Sequence, residues 1–168
     1  LSAPERDAYQ SLSTFFGRNA AYGGIMVTRP QTIGYSLADS PSGMAAWMYE
    51  KFDQWTDSDG VPELSRDEML NDITLYWFTN SGASSSRFYW ENNNNNFSSD
   101  TQKTRDIKVP VAITAFPKEI YKAPESWSRQ AYPSLAYYNQ AAKGGHFAAW
   151  EQPQIFAEEL RAAFKPMR

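Results

Sequence analysis

Cysteine is absent from the 168 residues, and histidine occurs once. The first absence removes any disulfide framework, thiol nucleophile or cysteine-bound metal. The second removes zinc patterns such as His-Glu-x-x-His, which need two imidazoles on one helix face. No run of about 18 apolar residues is present, so the sequence offers no membrane-spanning helix. An excess of one charge is missing too. The 16 Lys and Arg are scattered among 19 Asp and Glu, giving a net charge of −3, with no basic stripe for nucleic acid or an anionic membrane. Nor is there a Gly-x-Ser-x-Gly or Gly-x-Asp-x-Gly elbow, the strand-to-helix turn that carries the nucleophile of many hydrolases.

Rings are plentiful: 6 Trp, 10 Tyr and 10 Phe. That is more than a plain core needs and points to an apolar pocket lined by aromatic side chains. The length suits one modest domain or a large piece of a bigger one. Leu1 stands first, and Glu5 to Arg18 reads as if it began within a domain. The expectation is therefore a fragment, arising by truncation, processing or a split gene.

The first half has helical periodicity. Ala8, Leu12, Phe15 and Phe16 share a face, and breaks are expected at Gly17, Gly23-Gly24 and Arg29-Pro30. Asp39-Ser40-Pro41 supplies a cap and a first-turn proline. Met44, Trp47, Met48, Phe52 and Trp55 follow as one stripe. Asp57 to Gly60 has turn chemistry. Ser65-x-x-Glu68 is a capping box, opening a helix that turns Met69, Ile73, Tyr76 and Trp77 inward. Another helix is expected from Ser84 to Glu91, ended by a surface loop at Asn92 to Asn96.

The second half changes period. Val109 to Phe116 reads as a strand buried on both faces, as in parallel sheets. Pro124 to Arg129 reads as a short helix, and Leu135 to Ala141 as a second strand. Gln154 to Phe164 follows as an amphipathic helix with Ile155, Phe156, Leu160 and Phe164 at helical spacing. Strand, helix, strand, helix makes two units at the edge of a parallel α/β sheet. Two strands alone expose an edge where further strands belong.

In such sheets functional residues gather just past the carboxyl ends of strands. Glu119 follows the first strand in Phe116-Pro117-Lys118-Glu119. His146 follows the second in Gly144-Gly145-His146. Neighbouring strands lie about 4.8 Å apart, so residues on adjacent loops can meet. A carboxylate bonded to one imidazole nitrogen fixes the tautomer and stabilises the ring once it takes a proton. By position alone a loop histidine is more often structural, and Glu125 or Glu151 is as plausible an acid as Glu119.

Read together, several segments resemble the microsomal-type epoxide hydrolases of the α/β-hydrolase superfamily. They are Tyr22 to Pro30, Leu37 to Pro41, Glu50-Lys51-Phe52, Leu75-Tyr76-Trp77, Arg87 to Asn92, Ala115 to Glu119 and Gly144 to Ala149. They occur in family order and cover almost the whole chain. The resemblance implies an α/β-hydrolase fold, here a helical lid over 1–105 followed by the last two strand-helix units of the core over 106–168. The nucleophile-bearing N-terminal core is absent from the sequence. Glu119 matches the family's charge-relay acid and His146 its water-activating base. Tyr89 and Tyr22 match two lid tyrosines that hydrogen-bond the epoxide oxygen, with Tyr9 and Tyr35 as nearby alternatives to Tyr22.

The implied reaction opens a lipophilic epoxide with water to a vicinal diol through an Asp-ester intermediate. No metal or organic cofactor takes part. The implied partners are the epoxide, water and the missing N-terminal segment or a companion chain; homodimerisation is left open. The attacking aspartate and the family's His-Gly-Trp-Pro segment have no counterpart here, so the chain alone is expected to show no measurable epoxide turnover. Mammalian members are held to membranes by an N-terminal helix. None is visible in this sequence, and a cytoplasmic location is the expectation. The alternatives are a haloalkane dehalogenase or esterase on the same fold, or a non-catalytic ligand-binding or assembly protein.

Overall fold

Ser65 opens a helix in the way its sequence predicts. Its hydroxyl accepts the Glu68 N–H, and the Glu68 carboxylate reaches back to the Ser65 N–H at 2.8 Å, satisfying donors that a helix start leaves without partners. The computed structural model describes residues 1–58, 63–93 and 104–167. Among them are nine α-helices and two strands. The helices are α1 (Ala3–Thr14), α2 (Ala21–Thr28), α3 (Pro30–Asp39), α4 (Pro41–Trp55), α5 (Arg66–Phe78), α6 (Gly82–Asn93), α7 (Glu125–Ala131), α8 (Ala148–Glu151) and α9 (Pro153–Phe164). The strands are β1 (Val111–Ala115) and β2 (Leu135–Gln140). No helix among the described residues is long and apolar enough to cross a membrane.

The chain divides into two compact units. One combines Leu1–Thr14, the described part of Trp55–Glu63 and Lys103–Arg168; the other combines Phe15–Gln54 with the described part of Leu64–Gln102. That grouping differs from a single division at 105/106. The reason lies in long-range pairs the sequence does not announce. Asp7 of α1 pairs with Lys122 at 2.8 Å, and Glu5 accepts the Ser126 hydroxyl at 2.7 Å, so α1 groups with the strands.

In the helical unit α2 and α3 pack on α6. Pro30 starts α3 and forces the preceding residue out of the helical region: Arg29 has φ −142°. Ser40 caps α4, its hydroxyl accepting the Gly43 N–H at 3.0 Å. Asn80, at φ 52°, takes the left-handed conformation that closes α5. Met26, Leu37, Met44, Phe52, Leu64, Met69 and Ile73 form the core; Trp47 and Met48 are half-buried. Near the break expected at Gly17, α1 ends at Thr14 and α2 starts only after Ala20, but the break expected at Gly23-Gly24 does not occur. Gly17 lies within a π-helical turn, Phe15–Asn19, and both later glycines lie inside α2. Packing of α2 on α6 overrides their low helix propensity. Asn92 belongs to α6, donating to the Phe88 carbonyl at 2.8 Å. Asn94 to Asn96, and the Asp59-Gly60 half of the expected turn, lie outside the described residues.

In the strand unit β1 and β2 run parallel, Ile113 opposite Tyr138 and Thr114 opposite Asn139. Thr114, Tyr137 and Asn139 all donate to the Glu159 carboxylate, at 2.8, 2.9 and 2.8 Å, which fastens α9 to the sheet. Tyr138 donates instead to the Ala123 carbonyl at 2.8 Å, ahead of α7. β1 is half-buried rather than buried on both faces, because each described strand has one hydrogen-bonded neighbour. The apolar stripe of α9 is likewise incompletely covered: Leu160 and Phe164 are exposed.

Among the glycines of the helical unit, Gly82 has the least room for a side chain. A Cβ there would meet Leu37 Cβ at 2.6 Å and Met44 Cε at 2.9 Å. Gly82→Val should therefore destabilise the chain by about 1–3 kcal/mol through overpacking, read as a lower thermal midpoint by circular dichroism. An unchanged midpoint would show that α3 and α6 can separate freely.

Candidate active site

Past the end of β1 the chain does not leave its neighbour. The Ala141 N–H donates to the Ala115 carbonyl at 2.9 Å, and the Lys118 N–H to the Gly144 carbonyl at 3.0 Å. Lys118 and Gly145 form a further parallel bridge. The two post-strand loops thus continue the sheet's pairing, and the residue after each bridge partner is a candidate: Glu119 on one, His146 on the other. Glu119 Oε1 lies 2.7 Å from His146 Nδ1 and also accepts the Ile120 N–H at 2.7 Å. The carboxylate is held from two sides. With Nδ1–H donating to it, the imidazole lone pair resides on Nε2.

The electrostatics of the pair are reciprocal. Burial pushes the Glu119 carboxyl up, but the His146 bond, the Ile120 N–H and the histidine's charge together hold it below its usual range. The Glu119 bond raises the His146 imidazole against the opposing effect of burial, and the charges of Glu119 and Glu151 add to the rise.

The loop carrying His146 is fixed along its backbone. Gly144 N–H donates to Asp57 Oδ2 at 2.9 Å, Gly145 N–H to Glu151 Oε2 at 3.1 Å, His146 N–H to the Trp55 carbonyl at 2.8 Å and Phe147 N–H to Glu151 Oε1 at 3.0 Å. Both glycines are needed for this. Gly144 sits at φ +113°, a conformation side chains rarely adopt, and a Cβ at Gly145 would collide with the Trp55 carbonyl oxygen. The Trp55 ring meets the imidazole edge-on, centroids 5.2 Å apart. Of the two other acids the sequence leaves open, Glu125 pairs with Arg129 on α7 at 2.6 Å and Glu151 is bonded to the loop backbone.

Tyr22 and Tyr89 come together in the helical unit, from α2 and α6. Their rings stand edge to face, centroids 6.2 Å apart. Burial, with the charge of Tyr89 and a hydrogen bond to it, pushes the Tyr22 phenol up to about 12, so Tyr22 is a proton donor at any ordinary pH. Tyr9 and Tyr35, its sequence alternatives, are 64% and 69% exposed. The Lys51 ammonium lies 4.4 Å from the centre of the Tyr22 ring, a contact no sequence pattern singled out. Among the described residues no group of three or more His, Asp and Glu side chains is placed to hold a metal.

Catalogued family profiles do not match the chain, but individual proteins do. It is 49% identical, over its whole length, to a protein of Stigmatella aurantiaca (strain DW4/3-1) that carries a provisional epoxide hydrolase name, and covers 38% of that protein. It is 40% identical to epoxide hydrolase 1 of Sus scrofa over 94% of its own length and 37% of the relative's. Among solved structures, the epoxide hydrolase of Aspergillus niger superposes with a TM-score of 0.83 at 31% identity, over 99% of this chain and 40% of that one. The juvenile hormone epoxide hydrolase of Bombyx mori superposes with a TM-score of 0.80 at 30% identity, over 98% and 40%. The chain thus spans well under two thirds of the length of the curated relatives it matches.

Having one histidine makes the pair directly measurable. The His146 imidazole should titrate by NMR with a midpoint above 6.5, and Glu119→Gln should bring that midpoint down. In stability terms, the raised imidazole contributes fully below pH 6.5 and loses its contribution as pH rises through its folded value. The lowered carboxyl contributes fully above pH 4.5 and loses its share as pH falls through its folded value. The pair therefore stabilises most between these limits. A midpoint at or below 6.5 would remove the bond to Glu119 from the solution structure.

Proposed function

The chain belongs, by sequence and fold, with the epoxide hydrolases of the α/β-hydrolase superfamily, and on that premise we propose that it supplies the acid–base pair and the lid donors of an epoxide hydrolase. Glu119 orients His146, and His146 is the base that activates water. Tyr22 and Tyr89 donate to the epoxide oxygen. Residues 1–105 would serve largely as lid and 106–168 as the end of the core. The observation that carries the reading is the 2.7 Å bond from His146 Nδ1 to Glu119, which leaves Nε2 as the basic nitrogen.

The chemistry runs in two steps. A carboxylate nucleophile, an aspartate outside the residues of this chain, attacks one ring carbon. The carbon–oxygen bond breaks, and the departing oxygen takes a proton from a phenol. Donors aimed at an oxygen that gains charge lower the barrier most where water is excluded, and a phenol that keeps its proton, as Tyr22 does, suits the task. In the second step His146 Nε2 removes a proton from water. The resulting hydroxide attacks the ester carbonyl carbon, the bond from that carbon to the glycol oxygen breaks, and the departing alkoxide takes the proton from the imidazolium to give the diol. The carboxylic acid left on the nucleophile ionises, and its proton restores the phenol. Glu119 stabilises the imidazolium so formed without itself taking the proton. A raised imidazole places the acid limb of the second step above pH 6.5, because only the neutral ring can accept the proton.

The substrate is a lipophilic epoxide, favoured by the ring-rich helical unit. A dehalogenase or an esterase on the same fold would need no phenol pair to protonate an epoxide oxygen. The relatives from Sus scrofa and Aspergillus niger are epoxide hydrolases, which favours the epoxide reading over both. The chain alone supplies no covalent step and should turn over no epoxide.

In a longer polypeptide that includes the nucleophile, His146→Gln should let the ester intermediate accumulate, visible by intact-protein mass spectrometry, while steady-state diol formation stops. Undiminished diol formation would take His146 out of the mechanism. Tyr89→Phe should slow ring opening by roughly 10- to 100-fold, somewhat less than the loss of one oxyanion-hole donor. A pre-steady-state rate equal to that of the unsubstituted enzyme would assign the donor role elsewhere.

A further inference from the structure

Glu151 is buried, 5% exposed, yet it makes no hydrogen bond to the imidazole and takes no part in the proposed proton transfers. Acidic side chains are seldom so buried unless their charge is compensated. Here the compensation is backbone. Oε2 accepts the N–H groups of Asp57 at 2.7 Å and Gly145 at 3.1 Å, and Oε1 accepts that of Phe147 at 3.0 Å. Asp57 in turn accepts the Gly144 N–H, and the Trp55 carbonyl accepts that of His146. Four successive N–H groups, 144 to 147, therefore end on acceptors from only two places, Glu151 and the 55–57 segment.

We propose that Glu151 is a positioning residue for His146: its carboxylate clasps the peptide groups on either side of the histidine to the 55–57 segment, and so sets the imidazole against Glu119. The proposal rests on reading His146 as the base. A carboxylate with two oxygens can bridge donors that face it from three peptides, whereas a backbone carbonyl cannot reach both sides of residue 146. Charge-assisted bonds of this kind are about twice as strong as neutral ones, so the loop is held by its firmest bonds next to the residue that must not drift. Among the described residues, the charges of Glu119 and Glu151 act on the imidazole, Asp57 accepts the Gly144 N–H, and Lys143 is drawn toward Glu63 at 3.6 Å.

The test uses the chain itself. Glu151→Gln leaves one acceptor oxygen where two were used, so at least one of the three bonds must be lost. Amide exchange at Gly145 or Phe147 should then quicken by about tenfold or more, as expected for losing one charge-assisted bond. The His146 NMR midpoint should fall toward 6.5 while the far-ultraviolet circular dichroism is preserved. In a double-mutant cycle with Glu119→Gln, the midpoint shifts should fall short of additive, because Glu151 acts through the bond to Glu119. Full additivity would leave Glu151 only a through-space charge and would overturn the proposal. So would unchanged exchange and an unchanged midpoint. If Glu151→Gln does not fold, the unsubstituted chain decides: protected Gly145 and Phe147 amides support the clasp, and exchange at the rate of free peptide refutes it. These readouts stand apart from activity. Should His146→Gln leave diol formation intact in the longer enzyme, the base assignment fails while the clasp result is unaffected.

Discussion

The candidate site depends on the pairing of two loops after their strands have ended. The hydrogen bond from the Lys118 N–H to the Gly144 carbonyl carries the parallel ladder beyond β1 and β2. With it, Lys118 and Gly145 become bridge partners, and the residue after each stands beside the other. Parallel strands place loop residues within reach but do not by themselves fix them. Here the added bridge converts proximity into a 2.7 Å contact between Glu119 and His146. The Phe116-Pro117 and Gly144-Gly145 dipeptides serve the same end: the Phe116 ring fills the space a Cβ on Gly144 would need.

Two kinds of proton chemistry are kept in separate environments. Glu119 and His146 hold opposite charges in balance, each favouring ionisation of the other. Tyr22 does the reverse: burial and the neighbouring Tyr89 drive it away from ionisation. Glu119 and His146 favour the charged state and Tyr22 the neutral one, each within its own unit of the fold.

Much of this was legible in the sequence where the signal was local. The capping box at Ser65, the cap and proline at the start of α4, and the places of β1 and β2 each rest on signals within a few residues and form as expected, whereas Pro30, expected only to mark a break, begins α3. That Glu119 and His146 could meet was legible because both follow strands of a parallel sheet, while the choice of Glu119 over Glu125 or Glu151 came from the family resemblance. What stayed hidden was long-range. Glu151 reads as one more acid until Asp57, 94 residues away, is seen to donate to it. The placement of α1 beside the strands depends on Asp7 and Glu5 finding Lys122 and Ser126. Gly23 and Gly24 misled in the other direction: local propensity marked a break, and packing of α2 against α6 removed it.

Crowding at Gly145 and emptiness at Gly23 and Gly24 imply different evolutionary freedom for the same amino acid. No atom outside their own helix backbone and chain neighbours lies within 4 Å of a Cβ built on either α2 glycine, whereas at Gly145 the Trp55 carbonyl already occupies the place. Lineages descending from this sequence can exchange the first two for alanine with little penalty. The third is closed to every side chain for as long as the 55–57 segment crosses the histidine loop.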